Sequence, residues 1–143
     1  MMYDFLNYRV GSYMTPNPKT VSRETTLREL KTLFDTHDFN SFPVVDGNRL
    51  VGLVTKLDFL KAFTFSTSQI VPHYDDLMDR TVASVMTTAV VHAETEAPLT
   101  RALQLMVEMR ARSFPVLDSG GNLRGVIARE DIMRALGDAT KVE

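Results

Sequence analysis

Two seven-residue segments hold the side chains best suited to bind a ligand. Gly52-Leu53-Val54-Thr55-Lys56-Leu57-Asp58 and Gly125-Val126-Ile127-Ala128-Arg129-Glu130-Asp131 share a leading glycine, two apolar residues and a closing aspartate. In each, a strand-like apolar run gives way to a helix-like one. A helix start offers unpaired amide N–H groups and partial positive charge, which suits a phosphate. The Thr55 hydroxyl can donate to such a phosphate. Three residues on, the Asp58 carboxylate can accept from two neighbouring hydroxyls, as on a ribose, in bonds worth about 1.5–3 kcal/mol each. The same spacing also describes a helix cap, in which both side chains satisfy backbone donors and bind nothing. The second segment keeps Asp131 but has Ala128 in the hydroxyl's place, which favours a ligand role for the aspartates.

The elements that must position these segments also occur twice. Val10 to Ala62 contains Val-Gly-Ser-Tyr-Met-Thr-Pro, Ser-Phe-Pro-Val-Val-Asp and the first segment; Val82 to Ala135 contains Val-Ala-Ser-Val-Met-Thr-Thr, Ser-Phe-Pro-Val-Leu-Asp and the second. Met14 and Met86 are 72 positions apart, as are Pro43 and Pro115, whereas Asp58 and Asp131 are 73 apart. One residue has therefore been inserted in the turn after Asp118. Two copies of one supersecondary unit usually bury a face against each other and leave related clefts where they meet.

Each copy reads strand, helix, strand, strand, helix. In the first, Thr15-Pro16-Asn17-Pro18 is a turn and Lys19-Thr20-Val21 is extended. Thr26 caps a helix with Leu27, Leu30, Leu33, Phe34 and His37 at helical spacing. Phe42 to Asp46 and Leu50 to Val54 form a hairpin over Asp46-Gly47-Asn48, and Thr55 opens a helix through Leu57, Leu60 and Phe63. In the second copy, Thr88 to His92 is extended and Leu99, Ala102, Leu103, Met106 and Met109 form a helical stripe. A hairpin turns at Ser119-Gly120-Gly121-Asn122, and Ile132, Met133 and Leu136 mark the closing helix. Residues 64–70 read as a polar linker and 72–86 as a helix, with Asp75, Asp76 and Asp79 near its positive end. The predicted limits are an N-terminal extension at 1–9, repeats at 10–63 and 81–137, a linker and helix entry at 64–80, and a tail at 138–143.

Composition narrows the function. The 143 residues carry a net charge of −2 with interspersed signs, which gives no footprint for nucleic acid or an anionic membrane. There is no cysteine, so disulfides, thiolate metal sites and a cysteine nucleophile are excluded. His37, His73 and His92 are scattered, and His92 with Glu94 and Glu96 reads as a solvated strand end. No P-loop, Gly-x-Ser-x-Gly or His-Glu-x-x-His is present, so the chain reads as non-enzymatic. The start lacks signal-peptide regions and no apolar run approaches the ~18 residues of a membrane span, so a cytoplasmic protein is expected.

The duplicated unit resembles a pair of cystathionine-β-synthase (CBS) domains. The resemblance rests on Met-Thr before a short strand, Phe-Pro-Val-[Val/Leu]-Asp, and the glycine-to-aspartate segment, all in order and all twice between Val10 and Leu136. It implies an α/β (α+β) fold of two β-α-β-β-α repeats related by pseudo-two-fold symmetry, their small sheets side by side with two clefts between. It also implies an adenosine-containing regulatory ligand (AMP, ADP, ATP or S-adenosylmethionine), no required cofactor, a homodimer formed through helices, and a regulated partner protein. A ligand-free dimerisation scaffold is the alternative. By this resemblance Asp58 and Asp131 hold ribose, Thr55 holds phosphate, Gly52 lets the backbone come close, and apolar residues near Pro43 and Val44 flank the adenine. Thr20 and Val21 would contact base or ribose through backbone groups. Arg110, Arg112 and Arg129 are the phosphate candidates near the second segment in sequence, and Arg110 or Arg112 could serve either cleft; Asp38 and Asn40 stand where the first copy would need arginines.

Overall fold

The computed structural model describes residues 2–64 and 73–141. In chain order the elements are α1 (Met2–Asn7), α2 (Val10–Tyr13), β1 (Thr15–Pro16), α3 (Leu27–Thr36), β2 (Ser41–Asp46), β3 (Arg49–Thr55), α4 (Lys56–Lys61), α5 (Tyr74–Met78), β4 (Ala93–Glu94), α6 (Leu99–Met109), β5 (Ser113–Leu117), β6 (Leu123–Ala128) and α7 (Arg129–Thr140), with a 3-10 turn at Val82–Ser84. The fold is mixed α+β with small sheets, as expected. The chain divides into two compact units, Lys19–Val90 and Met1–Pro18 with Val91–Glu143.

In Lys19–Val90, α3 begins at a complete capping box. The Thr26 hydroxyl accepts from the Glu29 amide at 3.1 Å and Glu29 accepts from the Thr26 amide at 3.5 Å. This is the Thr-x-x-Glu signature of a helix start. Leu27 and Leu30 face inward and are fully buried beside Val21, Phe42, Val44, Val54, Met78 and Val82. Each such side chain contributes about 1.5–3 kcal/mol on burial. β2 and β3 pair antiparallel across a turn in which Gly47 has φ +62°, a conformation that favours glycine. Val21 adds a parallel bridge to Val44: the Val21 amide donates to the Pro43 carbonyl and the Val45 amide to the Val21 carbonyl.

The other unit repeats this plan. β5 and β6 pair antiparallel, β4 runs parallel to β5, and β1 lies antiparallel to β6, giving the order β1-β6-β5-β4. Its core gathers Val10, Leu99, Ala102, Met106, Phe114, Val116, Ile127 and Ile132. The hairpin closes around Asp118, whose carboxylate accepts from the Gly120 and Asn122 amides at 2.9 and 3.0 Å. These bonds, that to Asn122 first, hold the Asp118 carboxyl below the usual aspartate range.

The compact units are offset from the sequence repeats. Each hairpin receives the Met-Thr segment of the other repeat. Thr87 pairs with Leu53 through two 2.8 Å hydrogen bonds, and Thr15 and Pro16 pair with Val126 and Gly125. The glycines allow the approach. A Cβ on Gly52 would lie 2.9 Å from both the Met86 sulfur and the Thr87 oxygen; one on Gly125 would lie 2.6 Å from the Thr15 oxygen. The closeness expected of Gly52 therefore serves the chain itself.

Other expectations are corrected. Of the helix expected over 72–86, α5 and the short 3-10 turn form; Pro72, with the linker residues 65–70, lies outside the described residues. The Leu27, Val82 and Ala83 amides donate to the Arg80, Thr25 and Arg23 carbonyls, so tertiary bonds claim the backbone that a longer helix would need. Asp79 falls at the C-terminal end of α5, where Arg28 joins it to Asp75 at 3.3 Å each. The strand expected at Thr88–His92 does not form there; β4 begins at Ala93, just past its expected end. Residues 138–140 continue α7, and residues 2–7 of the N-terminal extension are helical. Leu57, Leu60 and Met133 lie on their helices but face outward, at 62, 57 and 69% exposure.

Candidate functional site

The first junction lies where β3 becomes α4. Ser41 pairs with Thr55, and the Lys56 amide donates to the Asn40 carbonyl at 3.0 Å, which fixes the helix start against β2. The Thr55 hydroxyl oxygen accepts from the Asp58 amide at 3.0 Å, and Asp58 Oδ2 accepts from the Thr55 amide at 3.0 Å. The capping arrangement is thus complete. A hydroxyl that accepts still has its own O–H to donate, and an ionised carboxylate has about four lone-pair sites. Asp58 is only 5% exposed, with Lys61 Nζ 3.9 Å from Oδ1.

The second junction, β6 into α7, keeps the same backbone frame. Ser113 pairs with Ala128, and the Arg129 amide donates to the Arg112 carbonyl at 3.0 Å. Asp131, 4% exposed, accepts from the Ala128 amide at 2.8 Å through Oδ2. Ala128 has no side-chain acceptor, so half of the box is present. Both aspartates therefore have a structural duty at a helix start.

The expected site residues fall into two groups. Thr20, Val21, Pro43, Val44, Thr55 and Asp58 belong to Lys19–Val90; Arg110, Arg112, Arg129 and Asp131 belong to the other unit. Val44 is fully buried and Val21 is 5% exposed, both in the core. The Val44 side chain therefore supports the hairpin from inside. The Pro43 and Val21 carbonyls already accept from Val21 and Val45. Arg129 clamps the end of α6, donating to the Ala111 and Arg110 carbonyls at 3.0 and 3.2 Å. Arg110, at φ +53°, ends that helix, and the Arg110 and Arg112 side chains are exposed. Sequence reasoning missed Arg134, which donates to Asp131 Oδ1 at 3.3 Å. Its signal was a basic residue three places after each aspartate, Lys61 and Arg134.

An open cavity of about 490 Å³ lies elsewhere in the second unit, lined by residues including Arg9, Ser12, Asp118 and Arg124 and by none of the expected ligands. Two of its charged residues are engaged: Arg9 donates to the Glu96 carbonyl and Asp118 holds its own turn. Among the described residues no group of three or more His, Asp or Glu side chains could hold a metal ion. No described helix is long and apolar enough to cross a membrane.

Duplicated hairpins, each entering a helix at a buried aspartate, define a tandem CBS unit. The family profile of the CBS domain matches residues 10–64 and 82–138, and the chain belongs to that family. It is 31% identical to the chloroplastic CBS domain-containing protein CBSX1 of Arabidopsis thaliana over 90% of this chain and 64% of that protein. It is 29% identical to homoserine O-acetyltransferase of Methanocorpusculum labreanum over 89% of this chain but 26% of the enzyme. The chain thus spans less than two thirds of the length of these relatives. Among solved structures, CBSX2 in complex with AMP superposes with a TM-score of 0.77 and 26% identity, covering 94% of this chain and 99% of that one; CBSX2 is an Arabidopsis thaliana CBS-pair protein.

Proposed function

We propose that this CBS pair is a non-enzymatic regulatory module that binds an adenosine-containing ligand (AMP, ADP, ATP or S-adenosylmethionine) at its strand–helix junctions and relays occupancy to a partner protein, working as a homodimer. The observation that carries the proposal is the buried carboxylate, Asp58 or Asp131, at the third position of the helix that follows each hairpin. The AMP complex of CBSX2, alike over nearly its whole length, supports adenosine as the ligand class. Asp58 receives the ribose hydroxyls and Thr55 donates to the phosphate. Thr20 and Val21 offer backbone groups to the base or ribose, Pro43 borders it, and Arg110 and Arg112 supply positive charge for a phosphate. A ligand acts on the partner only through different affinities for two states of the pair.

A thermal-shift screen of nucleotide-stripped protein tests this against AMP, ADP, ATP, S-adenosylmethionine, adenosine and GMP. At 100 times Kd a ligand adds about 2.7 kcal/mol, or several degrees in Tm. Shifts with adenosine compounds but not GMP are expected. A dimer with no shift from any of them supports a scaffold instead, a reading favoured by the complete cap at Thr55 and the exposed Leu57 and Leu60.

A further inference from the structure

One side chain ties the Asp131 carboxylate to a distant part of its unit. Arg134, one turn along α7, donates through Nη1 to Asp131 Oδ1 at 3.3 Å and through Nη2 to the Tyr13 carbonyl at 2.8 Å. Its guanidinium also stands 5.5 Å from the centre of the Tyr13 ring. The planar fork of arginine suits such a bridge; a lysine ammonium does not. Tyr13 is itself held. Its hydroxyl donates to Asp138 at 2.8 Å, Asp138 meets Lys141 at 3.3 Å, and its ring packs 5.0 Å from Tyr8, which lies 6.3 Å from the buried Phe5. Tyr13 ends α2, two residues before Thr15 pairs with Val126. The fork therefore joins the first turn of α7 to the segment α1–α2.

Among the described residues the other unit shows no such bridge. Lys61 holds the matching place, 3.9 Å from Asp58 and 65% exposed, and Val85 stands at the position equivalent to Tyr13.

We propose that Arg134 is a positioning residue that couples ligand occupancy at Asp131 to the firmness with which residues 2–13 are held. The proposal rests on the reading of Asp131 as a nucleotide ligand. The Arg134 fork fixes the carboxylate in the orientation that receives the ligand hydroxyls. Linkage is reciprocal, so a ligand that binds this orientation closes the fork and tightens α1–α2.

Hydrogen exchange of residues 2–13 in the full chain tests the coupling, with AMP as the probe and calorimetric titration confirming saturation of each variant. In the native chain AMP slows this exchange about fivefold or more, within the usual range of coupling between sites. Arg134→Lys, which keeps a positive charge beside Asp131 but cannot form the fork, loses the AMP-dependent slowing. Without ligand, Arg134→Lys and Asp131→Asn each speed exchange in residues 2–13, and the double variant adds nothing to the larger effect. Full slowing in saturated Arg134→Lys, additive effects in the double variant, or AMP binding that leaves residues 2–13 unchanged would each overturn the coupling and leave the nucleotide reading standing. Absence of any heat with AMP overturns both.

Discussion

The junctions at Thr55–Lys61 and Ala128–Arg134 share a backbone frame and differ in what the side chains add. At the first, a hydroxyl and a carboxylate close a full capping box, and a loosely placed lysine balances the charge at 3.9 Å. At the second, the hydroxyl is gone, and an arginine fork fastens the carboxylate to Tyr13. The first is self-contained. The second answers to a segment 121 residues away in sequence. Duplication thus preserved the frame and left the side-chain connections free to diverge.

That comparison can be pressed hardest at the glycines. Gly125→Ala places a Cβ 2.6 Å from a backbone oxygen, a contact that no side-chain rotation relieves. We expect a loss of about 3 kcal/mol in urea unfolding, at the upper end for overpacking. Gly52→Ala, with a 2.9 Å limit shared with the Met86 side chain, should cost less, about 1–2 kcal/mol. Equal losses would mean that the two crossed Met-Thr segments are held alike.

The carboxylates come next. Asp58→Ala is expected to lower adenosine-ligand affinity about 10–100-fold in titration calorimetry, since a charged acceptor is worth about 1.5–3 kcal/mol. An unchanged affinity in a folded variant removes Asp58 from the site. A smaller effect comes from exchanging the caps. Thr55→Ala should destabilise by about 1 kcal/mol, and Ala128→Thr should add a comparable amount by completing the second box. Failure of Ala128→Thr to stabilise would show that this junction does not need the missing half.

The smallest effect is on pH dependence. The Tyr13 hydroxyl, then Lys141, hold the Asp138 carboxyl below the usual range. A lowered carboxylate pKa contributes stability that is complete above the unfolded value of about 3.9 and disappears as pH falls through the folded value. Tyr13→Phe should flatten that acid-side loss in urea midpoints.

Local rules were readable in the sequence where local chemistry decides. Thr26 announced α3, and Asp46-Gly47-Asn48 announced the hairpin, because a cap and a positive φ each need particular residues nearby. The buried aspartates were found because the repeat displayed them twice. What escaped depends on distant partners. The exchange of Met-Thr segments leaves each repeat contiguous in sequence, so only Gly52 and Gly125 hint at the close approach. A continuous helix was expected over 72–86, with its aspartates near a positive end, but hydrogen bonds with residues 23–27 claim the backbone at 80–83. That Val44 fills the core depends on Leu27, Leu30 and Phe42 packing around it, which its own motif does not display.

The most direct test of the account is calorimetric titration of nucleotide-stripped protein with AMP, run on the native chain, Asp58→Ala and Asp131→Ala. The account predicts saturable binding by the native chain, weakened at least tenfold by Asp58→Ala, with the folded state of each variant verified by cooperative unfolding. Isotherms that superpose for all three folded proteins, or no heat with AMP, ADP, ATP and S-adenosylmethionine alike, would contradict it.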